Sequence, residues 1–156
     1  WVNSYKRLIP GYEAPVFVTW ASRSRSDLVR IPMYKPGKEA AARIELRSPD
    51  PACNPYLAFS VILAAGLEGI EKKLELPSAT EGNVFSLSDA ERKRRGIIQL
   101  PASLGEAIAL AEGSTLLRRA LGEHVFASFL QNKKIEHDRV RRAVTDYELK
   151  TYLPLL

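Results

Sequence analysis

An asparagine followed by a proline at 54–55 divides this chain into two stretches with different backbone preferences. The Asn54 side chain can accept a backbone N–H at a helix start. Pro55 then takes the first helical position, where its missing N–H is not needed. The pair predicts a helix that starts at 55, runs through Leu67 and frays near Leu74. Its apolar run over 56–67, interrupted by Ser60 and Gly66, is shorter than the ~20 residues that cross a bilayer. It reads as a buried helix.

Everything after 54 carries helix punctuation. Ser103 and Glu106 have capping-box spacing ahead of an apolar periodic run, and Thr145 and Glu148 repeat it near the end. Ser114 starts a short helix that Gly122 breaks. Residues 123–143 are amphipathic through Val125, Phe126, Phe129, Leu130 and Ile135. A last helix runs toward Leu153, and Pro154 ends it. Residues 77–96 are polar and turn-rich, an exposed excursion with one short helix near 88–94. Its basic cluster, Arg92-Lys-Arg-Arg95, has no neighbouring aromatic except Phe85, so a solvated helix face is favoured over a nucleic-acid site.

Before residue 50 the pattern is different. Short β-type segments at 16–20, 28–31 and 43–47 alternate with turns at Pro10-Gly11, 22–26 and Pro36-Gly37. The fold class is therefore α+β: short antiparallel strands followed by a mostly helical part. A length of 156 residues suits one domain with one core. The chain opens at Trp1 with no initiator Met and no signal-peptide pattern, and reads as a piece of a longer protein. A single cysteine, Cys53, cannot form an internal disulfide, which fits a reducing cytoplasm. No transmembrane segment is expected. The two histidines, His124 and His137, form no His/Cys cluster of the kind that binds zinc.

Charge is concentrated in the first stretch. Residues 1–50 hold nine bases against five acids, a net +4. Most of the bases are arginine, whose planar fork binds carboxylate and phosphate bidentately. In the segment Arg43-Ile-Glu-Leu-Arg47, strand alternation puts Arg43, Glu45 and Arg47 on one face, and Ile44 and Leu46 on a face turned to the core. Such a wall could hold a divalent cation through Glu45 and anions through the arginines. The plainer alternative is a surface ion-pair ladder. Arg23 and Arg25 lie in a turn, and Arg30 follows on a short strand. Arg7 precedes the Pro10-Gly11 turn and Glu13 follows it, so this turn could act as a mobile flap.

These residues resemble a known family. Asn3-Ser-Tyr-Lys-Arg-Leu-Ile-Pro-Gly-Tyr-Glu-Ala-Pro15 is similar to a motif of class I glutamine synthetases. Arg30-Ile-Pro32, Arg43-Ile-Glu-Leu-Arg47 and Pro49-Asp-Pro-Ala-Cys-Asn-Pro-Tyr-Leu-Ala-Phe59 resemble the blocks that follow it, in the same order. The resemblance implies ATP-dependent ligation of ammonia to glutamate through γ-glutamyl phosphate, with Mg²⁺ or Mn²⁺. It implies that Glu45 ligates a metal and that Arg30, Arg43 and Lys38 contact ATP. Arg25 would stabilise the transferred phosphoryl group beside the nucleotide, and Arg7 and Arg47 would hold glutamate. Glu13 would be the flap carboxylate that shields the acyl phosphate and helps accept a proton from ammonium.

Further implications concern the whole enzyme. The family's other metal ligands and its ammonium-site aspartate lie upstream of these motifs, so residues 1–156 alone should be inactive. The family assembles as a double-ringed dodecamer whose C-terminal helix docks on the facing ring. Here Tyr147, Leu149, Tyr152 and Leu153 would make that contact. Where one branch carries an adenylylated tyrosine, this chain has Phe85, which points to the feedback-inhibited branch. Three alternatives remain at this stage: a glutamate–amine or polyamine ligase, a non-catalytic structural relative, and a basic nucleic-acid module.

Overall fold

A computed structural model describes residues 1–22, 24–80 and 82–156. Helix α1 (Ser4–Arg7) leads to strands β1 (Trp20–Ala21), β2 (Val29–Arg30) and β3 (Glu45–Leu46). Helices α2 (Pro55–Glu71), α3 (Asp89–Arg94), α4 (Leu104–Glu112), α5 (Thr115–Leu121), α6 (Glu123–Arg142) and α7 (Asp146–Tyr152) follow. Short 3-10 turns lie at Glu39–Ala41, Val84–Ser86 and Leu153–Leu155. The α+β division at Asn54 holds. No helix of the described residues is long and apolar enough to cross a membrane.

The local helix signals act as the sequence implies. Asn54 Oδ1 accepts from Tyr56 N–H at 3.0 Å and from Leu57 N–H at 3.3 Å. Ser88, Ser103, Ser114 and Thr145 each cap the helix that follows. Gly122 has φ +74°, a left-handed value that suits glycine, and separates α5 from α6. Only the Thr145–Glu148 pair closes a reciprocal box. The Glu106 carboxylate instead accepts from the Ala102 N–H, at 3.0 Å. Pro154 does not terminate α7 outright but stands inside the 3-10 turn after it.

The strands depart further from expectation. Each ladder is two residues long, in the order β1-β2-β3. The β2–β3 pair is antiparallel, with Arg30 opposite Glu45, whereas β1 and β2 run parallel. Val29 and Ile31 donate to Thr19 and Ala21 in turn, at 3.1 and 3.0 Å, the slanted pattern of parallel strands. Alternation marks a strand but not its direction. Most of the segment before β1 pairs elsewhere: Phe17 bridges Gln99, Val18 N–H donates to the Ile98 carbonyl at 2.7 Å, and Leu100 N–H to Val16 at 2.8 Å.

That long-range pairing places the core. Val16, Phe17 and Val84 are buried, with Leu8, Phe85, Leu87 and Ile97 against them. A second buried group, Leu104, Ile108, Phe126 and Leu130, joins α4 to α6. The face of the 43–47 segment expected to be buried is open, with Ile44 73% exposed, because no element of the described residues covers it. Likewise α2 is not a buried helix. It packs on α5, and Tyr56, Phe59, Leu63, Leu67 and Ile70 form an exposed stripe at helical spacing on its uncovered side.

Candidate active-site cleft

The first stretch forms a cleft of about 480 Å³ lined by Tyr12, Glu13, Ser24, Arg25, Ser26, Arg47, Gly82, Asn83 and Phe85. Three expected site residues, Glu13, Arg25 and Arg47, therefore meet at one place. A larger hollow of about 1030 Å³ lies among α2, α4, α5 and α6. It holds none of the expected residues, and its walls are mostly helix side chains such as Leu57, Leu104 and Ile108, so we read it as a packing groove.

The Glu13 loop is a turn held at both ends. Leu8 packs on the core, and residues 14–17 are buried. Between them Ile9, Tyr12 and Glu13 are exposed, and Tyr12 N–H closes on the Ile9 carbonyl at 3.2 Å. Gly11 has φ +95°, which requires the glycine of the Pro10-Gly11 pair. Tyr12 and Glu13 of this loop line the cleft.

Arg47 of the cleft wall also belongs to a charge bridge. Glu45 Oε2 pairs with Arg30 Nη1 at 3.2 Å, and Glu45 Oε1 pairs with Arg47 Nε, also at 3.2 Å. The antiparallel β2–β3 register produces the first pair by setting Arg30 opposite Glu45. Strand alternation across Leu46 produces the second. Arg47 Nη2 also donates to the Glu13 carbonyl at 3.3 Å, tying the bridge to the loop. Arg30 Nε and Arg47 Nη1 are buried and have no hydrogen-bond partner among the described residues. Buried donors of this kind need an acceptor. An oxyanion would supply one.

The other expected residues lie apart. Arg7 does not line the cleft; its Nη1 and Nη2 donate to the carbonyls of Ser48 and Arg47, both at 3.1 Å. Arg43 is exposed and donates to the Ala41 carbonyl at 3.2 Å. The ladder starts only at Glu45, so the alternation expected over 43–47 does not reach it. Lys38 is exposed at the start of the Glu39–Ala41 turn. Arg23 lies outside the described residues.

Two further residues belong to this region. Asp27 is fully buried with neither carboxylate oxygen partnered among the described residues, and Asn83 stands on the cleft rim. The one sequence signal for Asp27 was an acid set directly before the apolar Leu28-Val29. Asn83 is reached only through the tertiary fold.

Oxyanions fit the chemistry of this cleft, since two guanidinium groups line it and Arg25 has no partner among the described residues. A divalent cation does not fit these residues alone. Both Glu45 oxygens face guanidinium groups, and no cluster of three or more His, Cys, Asp or Glu that could hold a metal occurs among the described residues.

Comparison with known proteins decides the family. Residues 1–152 match the model of the glutamine synthetase catalytic domain. The chain belongs to the glutamine synthetase family. It is 55% identical over 155 residues to the glutamine synthetase of Mycolicibacterium smegmatis and 53% identical over 155 residues to that of Methanosarcina mazei. Each alignment covers 99% of this chain but only 35% and 34% of the relative, so the chain spans about a third of their length. A structure titled GmaS/ADP complex superposes with a TM-score of 0.79 at 33% identity, covering 98% of this chain and 34% of that one. The Plasmodium falciparum glutamine synthetase gives the same TM-score at 24% identity, over 97% of this chain and 37% of that one, a likeness of fold.

Proposed function

We propose that this chain supplies the glutamate- and phosphate-holding part of a glutamine synthetase active site, for ATP-dependent ligation of ammonia to glutamate. The observation that carries this reading is the convergence of Glu13, Arg25 and Arg47 on one cleft, with Arg47 joined to Arg30 through Glu45. In it, Arg47 holds a glutamate carboxylate from the cleft wall. Arg25 meets the phosphoryl oxygens as charge builds on them, with Arg30, Arg43 and Lys38 on the nucleotide side. Glu13, carried on its loop, excludes water and takes a proton from ammonium. Arg7 acts on glutamate through the backbone of Arg47. Glu45 is one carboxylate of a Mg²⁺ or Mn²⁺ site whose other ligands these residues do not supply.

The same reading makes 1–156 a single-domain piece of a cytoplasmic enzyme that assembles as a dodecamer. Support for assembly lies in α7, which packs chiefly on the turn after it and leaves Tyr147, Leu149, Tyr152 and Leu153 exposed. Support for the branch without adenylylation lies in Phe85. It carries no hydroxyl, and its ring packs against Phe17 at 5.8 Å. An adenylyltransferase with ATP should add no AMP to the peptide containing it.

The deciding experiment is a γ-glutamyl transfer assay on full-length protein carrying this sequence, with ammonia, methylamine and polyamines as competing acceptors. Preference for ammonia supports the proposal, and preference for an amine moves the chain to the amine-ligase reading. Residues 1–156 alone should show no turnover.

A further inference from the structure

Asn83 stands on the rim of the Glu13–Arg25–Arg47 cleft with one half of its amide committed and the other half free. Its Oδ1 accepts the Phe85 N–H at 3.0 Å, and its carbonyl accepts the Ser86 N–H at 3.1 Å and the Ser86 hydroxyl at 2.7 Å. Of the two ends of the amide only the oxygen can accept an N–H, so the Phe85 bond fixes which way the amide faces. The turn beneath is anchored: Val84 is fully buried, and Arg92 donates to the Leu87 carbonyl. What remains is the Nδ2 amine, which has no partner among the described residues, on a residue that lines the cleft with Arg25 and Arg47.

We propose that Asn83 is a further substrate-binding residue, whose side-chain NH₂ donates to an oxyanion held in this cleft, either a carboxylate or a phosphoryl oxygen. The inference rests on the glutamine synthetase reading above. A neutral donor adds a further directional hydrogen bond to those of the two guanidinium groups without adding charge.

Asn83→Asp and Asn83→Ser provide the test, because both side chains cap a turn about as well as asparagine. Both remove the NH₂, and only the first adds a repelling charge. Full-length protein is assayed with glutamate and ATP varied separately, alongside thermal unfolding. The expected result is an unchanged Tm, kcat within about twofold, and KM raised at least about tenfold for one substrate. The rise should be larger for Asp than for Ser. A rise for glutamate alone identifies a carboxylate, and a rise for ATP alone a phosphoryl oxygen. Wild-type KM values in both active variants would leave Asn83 as a cap only and overturn the proposal while sparing the functional reading. An inactive wild-type enzyme would overturn both.

Discussion

Arg7 grips the backbone on which Arg47 stands, with Nη2 on the Arg47 carbonyl and Nη1 on the Ser48 carbonyl, both at 3.1 Å. Asp50 closes the same corner. The Ser4 hydroxyl, and after it the Ala52 N–H and the Arg7 charge, hold its carboxyl below the ordinary range. Arg7→Lys should fail to replace this, because an ammonium is a point donor and cannot span two successive carbonyls as a planar fork does. We expect a loss of about 1–2 kcal/mol in urea unfolding and a raised KM for glutamate with little change for ATP. Wild-type values of both would remove Arg7 from this role.

Glu45 faces two guanidinium groups, Arg30 and Arg47, each at 3.2 Å. Glu45→Gln keeps the shape but turns an NH₂ toward one of them. The side chain is 39% exposed, so solvent screening keeps the stability cost small, about 1 kcal/mol or less. Activity of the full-length enzyme should fall much further, by at least about a hundredfold, since electrostatic preorganisation is lost. A large drop in Tm with retained kcat would reverse that assignment.

What was legible in the sequence was local. Asn54-Pro55, Ser114, Gly122 and the Thr145–Glu148 box act over three or four residues, and each sits where the spacing puts it. Pairings between distant residues were not legible. The bridge from Phe17 to Gln99 takes the first β-type segment away from the expected sheet, and no periodicity within 16–20 encodes it. The open stripe on α2 shows the same limit, because an apolar helix does not say how many of its sides the chain will cover. In the site, residue type pointed to oxyanion chemistry. It could not tell that Arg7 would spend its fork on carbonyls, or that Asn83 would reach the cleft.

Gly105, the second residue of α4, faces His137 of α6. A Cβ placed there would lie 3.0 Å from His137 Nε2 and 3.3 Å from Cε1. Alanine favours helix over glycine by up to about 1 kcal/mol, and this contact works against that gain. Gly105→Ala should therefore be near neutral in the wild-type background and stabilising by about 0.5–1 kcal/mol when His137 is also alanine. Chemical unfolding of the four proteins of this cycle gives the coupling directly. Equal effects of Gly105→Ala in both backgrounds would show that the imidazole moves aside freely.

Helix α7 packs chiefly on the turn after it, so its order depends on its own cap. Thr145 Oγ1 accepts the Glu148 N–H at 3.3 Å, and Glu148 Oε2 accepts from the Thr145 hydroxyl and N–H, both at 2.7 Å. The hydroxyl, and after it the N–H, hold the Glu148 carboxyl below its ordinary value. Because the folded value is the lower one, the stabilisation is complete above the unfolded value of about 4.3 and is lost as pH falls through the folded one. The helical Cα chemical shifts of α7 should accordingly decay below about pH 4, ahead of those of α6. Glu148→Gln keeps both capping partners but does not titrate, so its α7 shifts should stay flat over that window. If the glutamine variant follows the wild-type curve, another group controls the helix.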